Sequence, residues 1–344
     1  MEAVKIVILC LLSAVLLAGC AFSPQREQEP MKTEFFAMDT YVSFTAYGDV
    51  SESVLDAAKR EVGDLEDLWS VTKETSEVYE LNHANGNSTA VSEETAALLR
   101  FSLDMAEQTD GALDITLYPA LTAWGFTTGS YHIPTDDELA AKMQLVGYEK
   151  VSLVGNTVTL MPGMQVDFGA VAKGYACDML KELFESQGVT SAVISLGGNI
   201  QTIGTRPDGT PWRVSVEHPE NRDSLGILSV TDKSVVTSGA YERYFDGADG
   251  KRYGHILDPK TGKPVDSDLL SVTVIGAESK QCDALATAFY VMGVQRAVEF
   301  LGGHPEIDAL LFTQDGELYL TKGAADSFTL SENYGDISLI EIKQ

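Results

Sequence analysis

The order in which strand-like and helix-like segments follow one another constrains this chain more than any single motif. Residues 34–47 (EFFAMDTYVSFTAY) are rich in β-branched and aromatic side chains. Residues 51–69 and 92–109 instead repeat apolar positions at helical spacing, the second opening at Ser92 as an N-cap. Thr135 with Glu138 forms a capping-box pattern ahead of a short helix that ends near Gly147, and Val151–Val154 with Val158–Met161 around Gly155-Asn156 spell a hairpin. Residues 170–186 read as a helix stopped by Gly188, leading into a strand over Ser191–Leu196 and a turn at Gly197-Gly198-Asn199. Strands then dominate at 212–217, 226–231, 234–237, 252–257 and 269–275, followed by helices near 282–292 and 294–301 and strands near 308–313 and 317–321. Hairpins mixed with helices predict an α+β fold and not a doubly wound parallel sheet.

Ahead of this body, Lys5 precedes an apolar run from Ile6 to Leu17 that is too short and too sharply ended for a membrane span. It reads as a signal peptide. The run closes in Leu17-Ala18-Gly19-Cys20, which resembles the lipobox at which bacterial lipoproteins are cleaved and lipidated; the plainer alternative is a small-residue cleavage site that abuts a cysteine. The expected organisation is a signal peptide over 1–19, lipidated Cys20 with a polar, proline-bearing tether to residue 33, and one folded domain over 34–344. Such a chain would sit on the extracytoplasmic face of a bacterial membrane.

With 24 Lys and Arg against 51 Asp and Glu, the net charge is −27, and loss of Glu2 and Lys5 with the signal leaves it unchanged. That surface repels nucleic acid and anionic headgroups, so no nucleic-acid partner is expected and the membrane link would rest on the lipid. An anionic ligand would need a metal ion or a placed Lys or Arg. Of four cysteines, Cys177 and Cys282 lie in the body, with no C-x-x-C or Cys/His cluster to suggest zinc or iron–sulfur. The residues leave open a disulfide or two buried thiols, and the latter is favoured.

The usual nucleotide fingerprints, G-x-x-x-x-G-K-[ST] and G-x-G-x-x-G after a strand, do not occur. Ser70-Val71-Thr72-Lys73 with Lys260-Thr261-Gly262 imitates the S-x-x-K and K-T-G pair of penicillin-binding enzymes. Pro259 and Pro264 make the second element a turn, however, and Ser70 follows a helix end. Asp167-Phe168-Gly169-Ala170-Val171-Ala172-Lys173 is more informative: a strand ends in an acid and a glycine turn opens a helix whose first amides and Lys173 suit phosphate oxygens. The plainer alternative is Asp167 as a helix cap and Lys173 as a solvated charge. Asp283 and Thr287, four apart on a helix, present a carboxylate and a hydroxyl to one point, hard ligands suited to Mg²⁺, unless Asp283 only caps and Thr287 only packs. Of five histidines, His255 alone lies in a run dense with aromatic, basic and acidic side chains, between Ser238–Phe245 and Asp258-Pro259.

Taken together these segments resemble the ApbE family of FAD:protein FMN transferases. The likeness runs from about residue 34 to the C-terminus. It rests on Met38-Asp39-Thr40 (Asp where the family has Gly), Ser76–Asn82, Gly111–Thr116 with Pro119 and Trp124-Gly125, Asp167, Ser195–Asn199, Tyr241–Phe245, His255–Pro259 and Asp283…Thr287. The resemblance implies a T-fold-related α+β domain of two lobes, with FAD in the cleft between them. By position, Met38, Ala112, Leu113, Asp114, Asp167, Lys173 and Ile256 would line FAD, and the carbonyl of Ala170 with Asp283 and Thr287 would hold Mg²⁺. Thr72 stands where some relatives place an aromatic flavin contact, and Ala286 where some place a further acid.

The implied activity is Mg²⁺-dependent transfer of FMN from FAD to a Thr or Ser hydroxyl of an acceptor protein, through a phosphoester and with release of AMP. Acceptors would be flavoproteins of the cell envelope, such as redox-pump subunits. His255 is the candidate for taking the hydroxyl proton, with Asp258 holding or replacing it. A FAD pyrophosphatase that lets water attack, and a flavin-binding lipoprotein without turnover, are the alternative classes.

Overall fold

The computed structural model describes residues 29–344, so the signal peptide, Cys20 and most of the tether lie outside the described residues. The β-rich opening is a hairpin: β1 (Met31–Ala37) and β2 (Thr40–Ala46) pair antiparallel about Met38-Asp39, whose φ values of 51° and 56° are those of a tight primed turn. In α1 (Glu52–Trp69) the residues Leu55, Ala58, Val62, Leu65 and Trp69 form one buried stripe. The chain continues through α2 (Glu77–His83), β3 (Thr89–Ala90) and α3 (Glu93–Gln108), where Ser92 caps as expected by accepting from the Thr95 amide. Next come α4 (Tyr118–Trp124), α5 (Asp136–Met143), which Thr135 caps, and the expected hairpin of β4 (Ser152–Val154) and β5 (Thr157–Thr159). The second half holds α6 (Ala172–Ser186), β6 (Ala192–Leu196), β7 (Asn199–Ile203), β8 (Trp212–Glu217), β9 (Ser224–Val230), β10 (Ser234–Ser238), β11 (Tyr244–Asp246), β12 (Arg252–Gly254) and β13 (Leu269–Gly276). It closes with α7 (Ser279–Gly302), β14 (Asp308–Thr313), β15 (Glu317–Thr321), α8 (Lys322–Ser327), β16 (Phe328–Leu330) and β17 (Ser338–Ile342).

A nine-stranded sheet in the order β1-β2-β6-β7-β10-β13-β14-β15-β17 organises these elements, antiparallel except for the parallel β15–β17 pair. This is the α+β architecture expected from the sequence. Both faces of the central strands are covered. Val236, Val274 and Leu311 join the large core formed with α1, α3, α6 and α7, while their neighbours Val235, Ile275 and Leu310 join a second core under β8, β9 and α8. A smaller third cluster around Trp124, Phe126, Leu139 and Leu257 holds α4, α5 and the β11–β12 hairpin together.

Several elements differ from the sequence reading. Residues 199–203, of which the sequence assigns only Asn199, to a turn, form β7, whose Gln201 and Thr202 are fully buried polar side chains that hide the usual apolar alternation. The two helices expected at 282–292 and 294–301 are both present, as the arms of α7 on either side of Gly293, whose φ of 74° and ψ of 176° are not helical and beside which Asp268 Oδ1 accepts from the Val294 amide at 3.0 Å. Cys177 and Cys282 are free, buried thiols whose pKa burial drives up.

The contact that positions the site is reciprocal capping between α6 and α7. The start of α7 has no cap from its own side chains; Asp178 of α6 accepts from the Ser279 amide at 2.7 Å and the Lys280 amide at 3.0 Å. In return Asp283 of α7 accepts from the Gly174 amide of α6 at 2.9 Å. Each carboxylate thus sits at the positive end of the other helix. Burial pushes Asp178 up to about 6, against the pull of the two amides. Gly174 permits the approach, since a Cβ there would lie 2.4 Å from the Ser279 carbonyl oxygen and 2.7 Å from Asp283 Cβ. Gly174→Ala should therefore destabilise the protein by about 1–3 kcal/mol. The check is a denaturant midpoint lowered at constant slope, and an unchanged midpoint would show that the helices can part freely.

Candidate active site

Between the large core and the third cluster lies a cleft of about 1080 Å³, the size of a dinucleotide site. It brings together Met38 from the β1–β2 turn, Ala112, Leu113 and Asp114 from the loop after α3, Asp167, Ala170 and Lys173 from the entry to α6, His255 and Ile256 after β12, and Asp283 and Thr287 from α7. These residues come from distant parts of the chain. Asp258 is the exception: it is not among the cleft walls, and its carboxylate accepts from the Lys260 amide at 2.9 Å and Thr261 Oγ1 at 3.2 Å within a turn.

The same turn carries Lys260-Thr261-Gly262, with Gly262 at φ 67°, and the Lys73 ammonium is paired with Glu66 and Asp67, only its backbone amide donating to Ser70 Oγ. Neither half of the penicillin-binding imitation is therefore assembled.

The entry to α6 differs from the phosphate cradle expected there. The Val171 and Ala172 amides are taken by the Phe168 carbonyl, and the Gly174 amide by Asp283. Asp167 does not cap the helix, whose N-cap is Val171; its Oδ1 accepts from the Gly169 amide at 2.7 Å. Burial raises the Asp167 pKa, opposed by the Gly169 amide and by the charges of Lys173 and Arg243. Lys173 is no solvated charge either, since Nζ donates to the Gly169 carbonyl at 3.0 Å and stands 4.0 Å from Asp283 Oδ1. Asp114 is pinned by Thr116 and by the Tyr148 amide, again with its pKa raised by burial.

These residues fit a hard cation. Asp283 is 3% exposed, and burial raises its pKa against the pull of Lys173, the Gly174 amide and the Asn199 side chain. In a regular helix the Gly174 amide would donate to the Ala170 carbonyl; here it donates to Asp283, which leaves that carbonyl free beside the carboxylate. With the Thr287 hydroxyl on the same wall, one carboxylate, one carbonyl and one hydroxyl offer oxygens only, the donor set of Mg²⁺ sharing its shell with phosphate and water. Among the described residues no cluster of three or more acids, histidines and cysteines is present, so the site would lean on its ligand to complete it.

Other polar atoms in the cleft also lack protein partners. Buried Trp69 Nε1, Thr127 Oγ1 and Asn199 Nδ2 make no hydrogen bond, and all three residues line its walls. Unpartnered buried polar groups are rare in folded proteins, and their concentration here marks a surface shaped for a polar ligand.

His255 is half-buried on the cleft wall. Its Nδ1 and its backbone amide both meet the Arg243 carbonyl, at 3.1 and 3.0 Å. Burial lowers its pKa to about 4, the carbonyl bond opposing and the charges of Arg243 and Lys173 adding to the effect. The ring is therefore neutral at pH 7, with the proton on Nδ1 and a free lone pair on Nε2. Glu242 and Arg243 line the cleft beside it, both open to solvent; enclosure by the cleft walls raises the Glu242 pKa, with Lys173 and Arg222 opposing and Asp283 adding to it. Sequence reading passed over Asn199, Glu242 and Arg243 as site residues. The last two lie in the aromatic and charged run that drew notice to His255, whereas Asn199 looked like an ordinary turn residue.

A family model described as the ApbE family matches residues 38–311. This chain belongs to the ApbE family. A FAD:protein FMN transferase of Vibrio cholerae is 32% identical to it over 302 residues, covering 85% of this chain and 89% of that protein. One from Klebsiella pneumoniae is 34% identical over 262 residues, covering 74% and 81%. The crystal structure of the ApbE protein of Thermotoga maritima superposes with a TM-score of 0.78 at 28% identity, over 90% of this chain and 99% of that one.

In this ApbE family member the His255 ring should titrate near 4 by NMR, well below an ordinary imidazole. The unfolded chain binds this proton near 6.5 and the folded chain only near 4, so the group removes stability as pH falls through that window. A midpoint at 6.5 would mean that the ring is open to water.

Proposed function

We propose that this chain transfers the FMN half of FAD to a Thr or Ser hydroxyl of acceptor proteins in the bacterial cell envelope, redox-pump subunits among them. Mg²⁺ is required and AMP is released. The acceptor oxygen forms a bond to the FMN phosphorus, the bond from that phosphorus to the AMP phosphate oxygen breaks, and the hydroxyl proton passes to His255 Nε2. The observation that carries this reading is the neutral His255, its Nδ1–H spent on the Arg243 carbonyl, on the wall of a cleft that also holds the free Ala170 carbonyl and the Asp283 carboxylate. Cys20 would tether the enzyme, by its lipid, on the side of the membrane where such acceptors are exposed.

When bound, Mg²⁺ would neutralise charge developing on the diphosphate oxygens. Ala170, Asp283 and Thr287 would hold it. Lys173, already 4.0 Å from Asp283, would add positive charge beside it, and Met38 and Ile256 would give the flavin ring apolar contacts. The structural turn that occupies Asp258 leaves His255 as the proton acceptor.

Incubation with FAD, Mg²⁺ and an acceptor protein should add the mass of FMN to the acceptor and release AMP. Free FMN with AMP and an unmodified acceptor would make the chain a pyrophosphatase, and no turnover a carrier. His255→Ala should keep FAD affinity and slow transfer by about 10²–10⁴-fold, the usual contribution of a general base. A loss below tenfold would remove His255 from the chemistry. Mg²⁺ with FAD should raise the melting temperature of the wild type and not of Asp283→Ala; an equal rise in both would show that this carboxylate serves only the helix contact.

A further inference from the structure

An ion pair spans the mouth of the cleft. Asp39, at the tip of the β1–β2 turn, has Oδ2 3.3 Å from Nη2 of Arg243, the residue between the 3₁₀ turn Ala240–Glu242 and β11. Both side chains line the cleft and both face solvent, at 75% and 46% exposure. Water and salt screen such a pair, so it forms readily and is given up readily.

Its surroundings say what it is exchanged for. Lys173 and Arg243 are the cationic side chains of the cleft walls, which also carry Asp39, Glu66, Asp114, Asp167, Glu242 and Asp283. Lys173 is committed to the Gly169 carbonyl and to Asp283. Arg243 is therefore the cation with freedom to meet a phosphate, and its guanidinium can bind phosphate oxygens in a bidentate fork, whereas it meets exposed Asp39 through the single Nη2–Oδ2 contact.

The backbones on both sides are fixed. The Met38 amide donates to Glu66 Oε2 at 2.9 Å, and the Arg243 carbonyl holds His255. Only side chains need to move. The turn itself does not require a charge at residue 39, because asparagine and glycine tolerate its φ of 56° as well as aspartate does.

We infer that Asp39 is a competing anion that holds Arg243 across the cleft mouth in the free protein and yields it to the diphosphate of an entering dinucleotide. Asp39 thereby sets the affinity for phosphorylated flavin without touching the flavin ring. This rests on the proposed use of FAD. In terms of balance the exchange is one of ion partners only, with no covalent step.

The test is a fluorescence titration of wild type, Asp39→Asn, Arg243→Gln and the double variant with FAD, and in parallel with riboflavin, which has no phosphate. Asp39→Asn should tighten FAD by about two- to fivefold, the range an exposed pair of this kind contributes, and leave riboflavin unchanged. The gain should shrink as ionic strength rises. Arg243→Gln should weaken FAD, and in that background Asp39→Asn should have no further effect. An unchanged FAD affinity in Asp39→Asn, an equal shift for riboflavin, or a gain that persists without Arg243 would overturn the exchange alone. Absence of FAD binding by the wild type would overturn the proposed function together with it.

Discussion

Two helices cap each other, and the cleft depends on it. Asp178 closes the start of α7 and Asp283 closes the start of α6, with Gly174 allowing the backbones to meet. A single exchange of partners couples this packing to chemistry: the Gly174 amide goes to Asp283 in place of its own helical acceptor, and the Ala170 carbonyl is freed. The same hydrogen bond therefore holds the helices in register and opens the oxygen site. Without it Asp283 would be a buried charge with only a lysine at 4.0 Å, a costly arrangement for the fold.

The electrostatics of the cleft follow from placing an anion-binding site in a chain of net charge −27. Burial raises the pKa of Asp114, Asp167 and Asp283, opposed in each case by hydrogen bonds and, for Asp167 and Asp283, by the charge of Lys173. The same burial, with Arg243 and Lys173 nearby, keeps His255 neutral. One physical cause, exclusion from water, thus acts with opposite sign on the acids and on the imidazole of the cleft.

Much of the fold was legible locally. Ser92 and Thr135 cap the helices they were expected to cap, the Gly155-Asn156 hairpin forms, and the paired prolines around Lys260-Thr261-Gly262 make a turn. These features are decided within a few residues by hydrogen bonds and backbone dihedrals. β7 was missed because its buried polar side chains carry no alternation, and β17 because a strand at a sheet edge, with Leu339 exposed, is specified by its partner β15. The site divides in the same way. His255, Asp283 and Lys173 could be singled out by residue type and setting, while Asn199, Glu242 and Arg243 gained meaning only from what stands opposite them.

The sequence by itself determined the α+β class, the helix and hairpin boundaries set by caps and turns, the need for a cation beside any anionic ligand, and the family, because these depend on short-range patterns and on composition. Tertiary structure alone decided what each polar group is spent on. It turned the start of α6 from a phosphate cradle into the seat of Asp283, confined Asp258 to a turn, fixed the tautomer of His255 on a carbonyl twelve residues earlier, and set Asp39 against Arg243 across the cleft mouth. A donor or acceptor has few partners, and which of them it meets depends on distances between segments far apart in the chain.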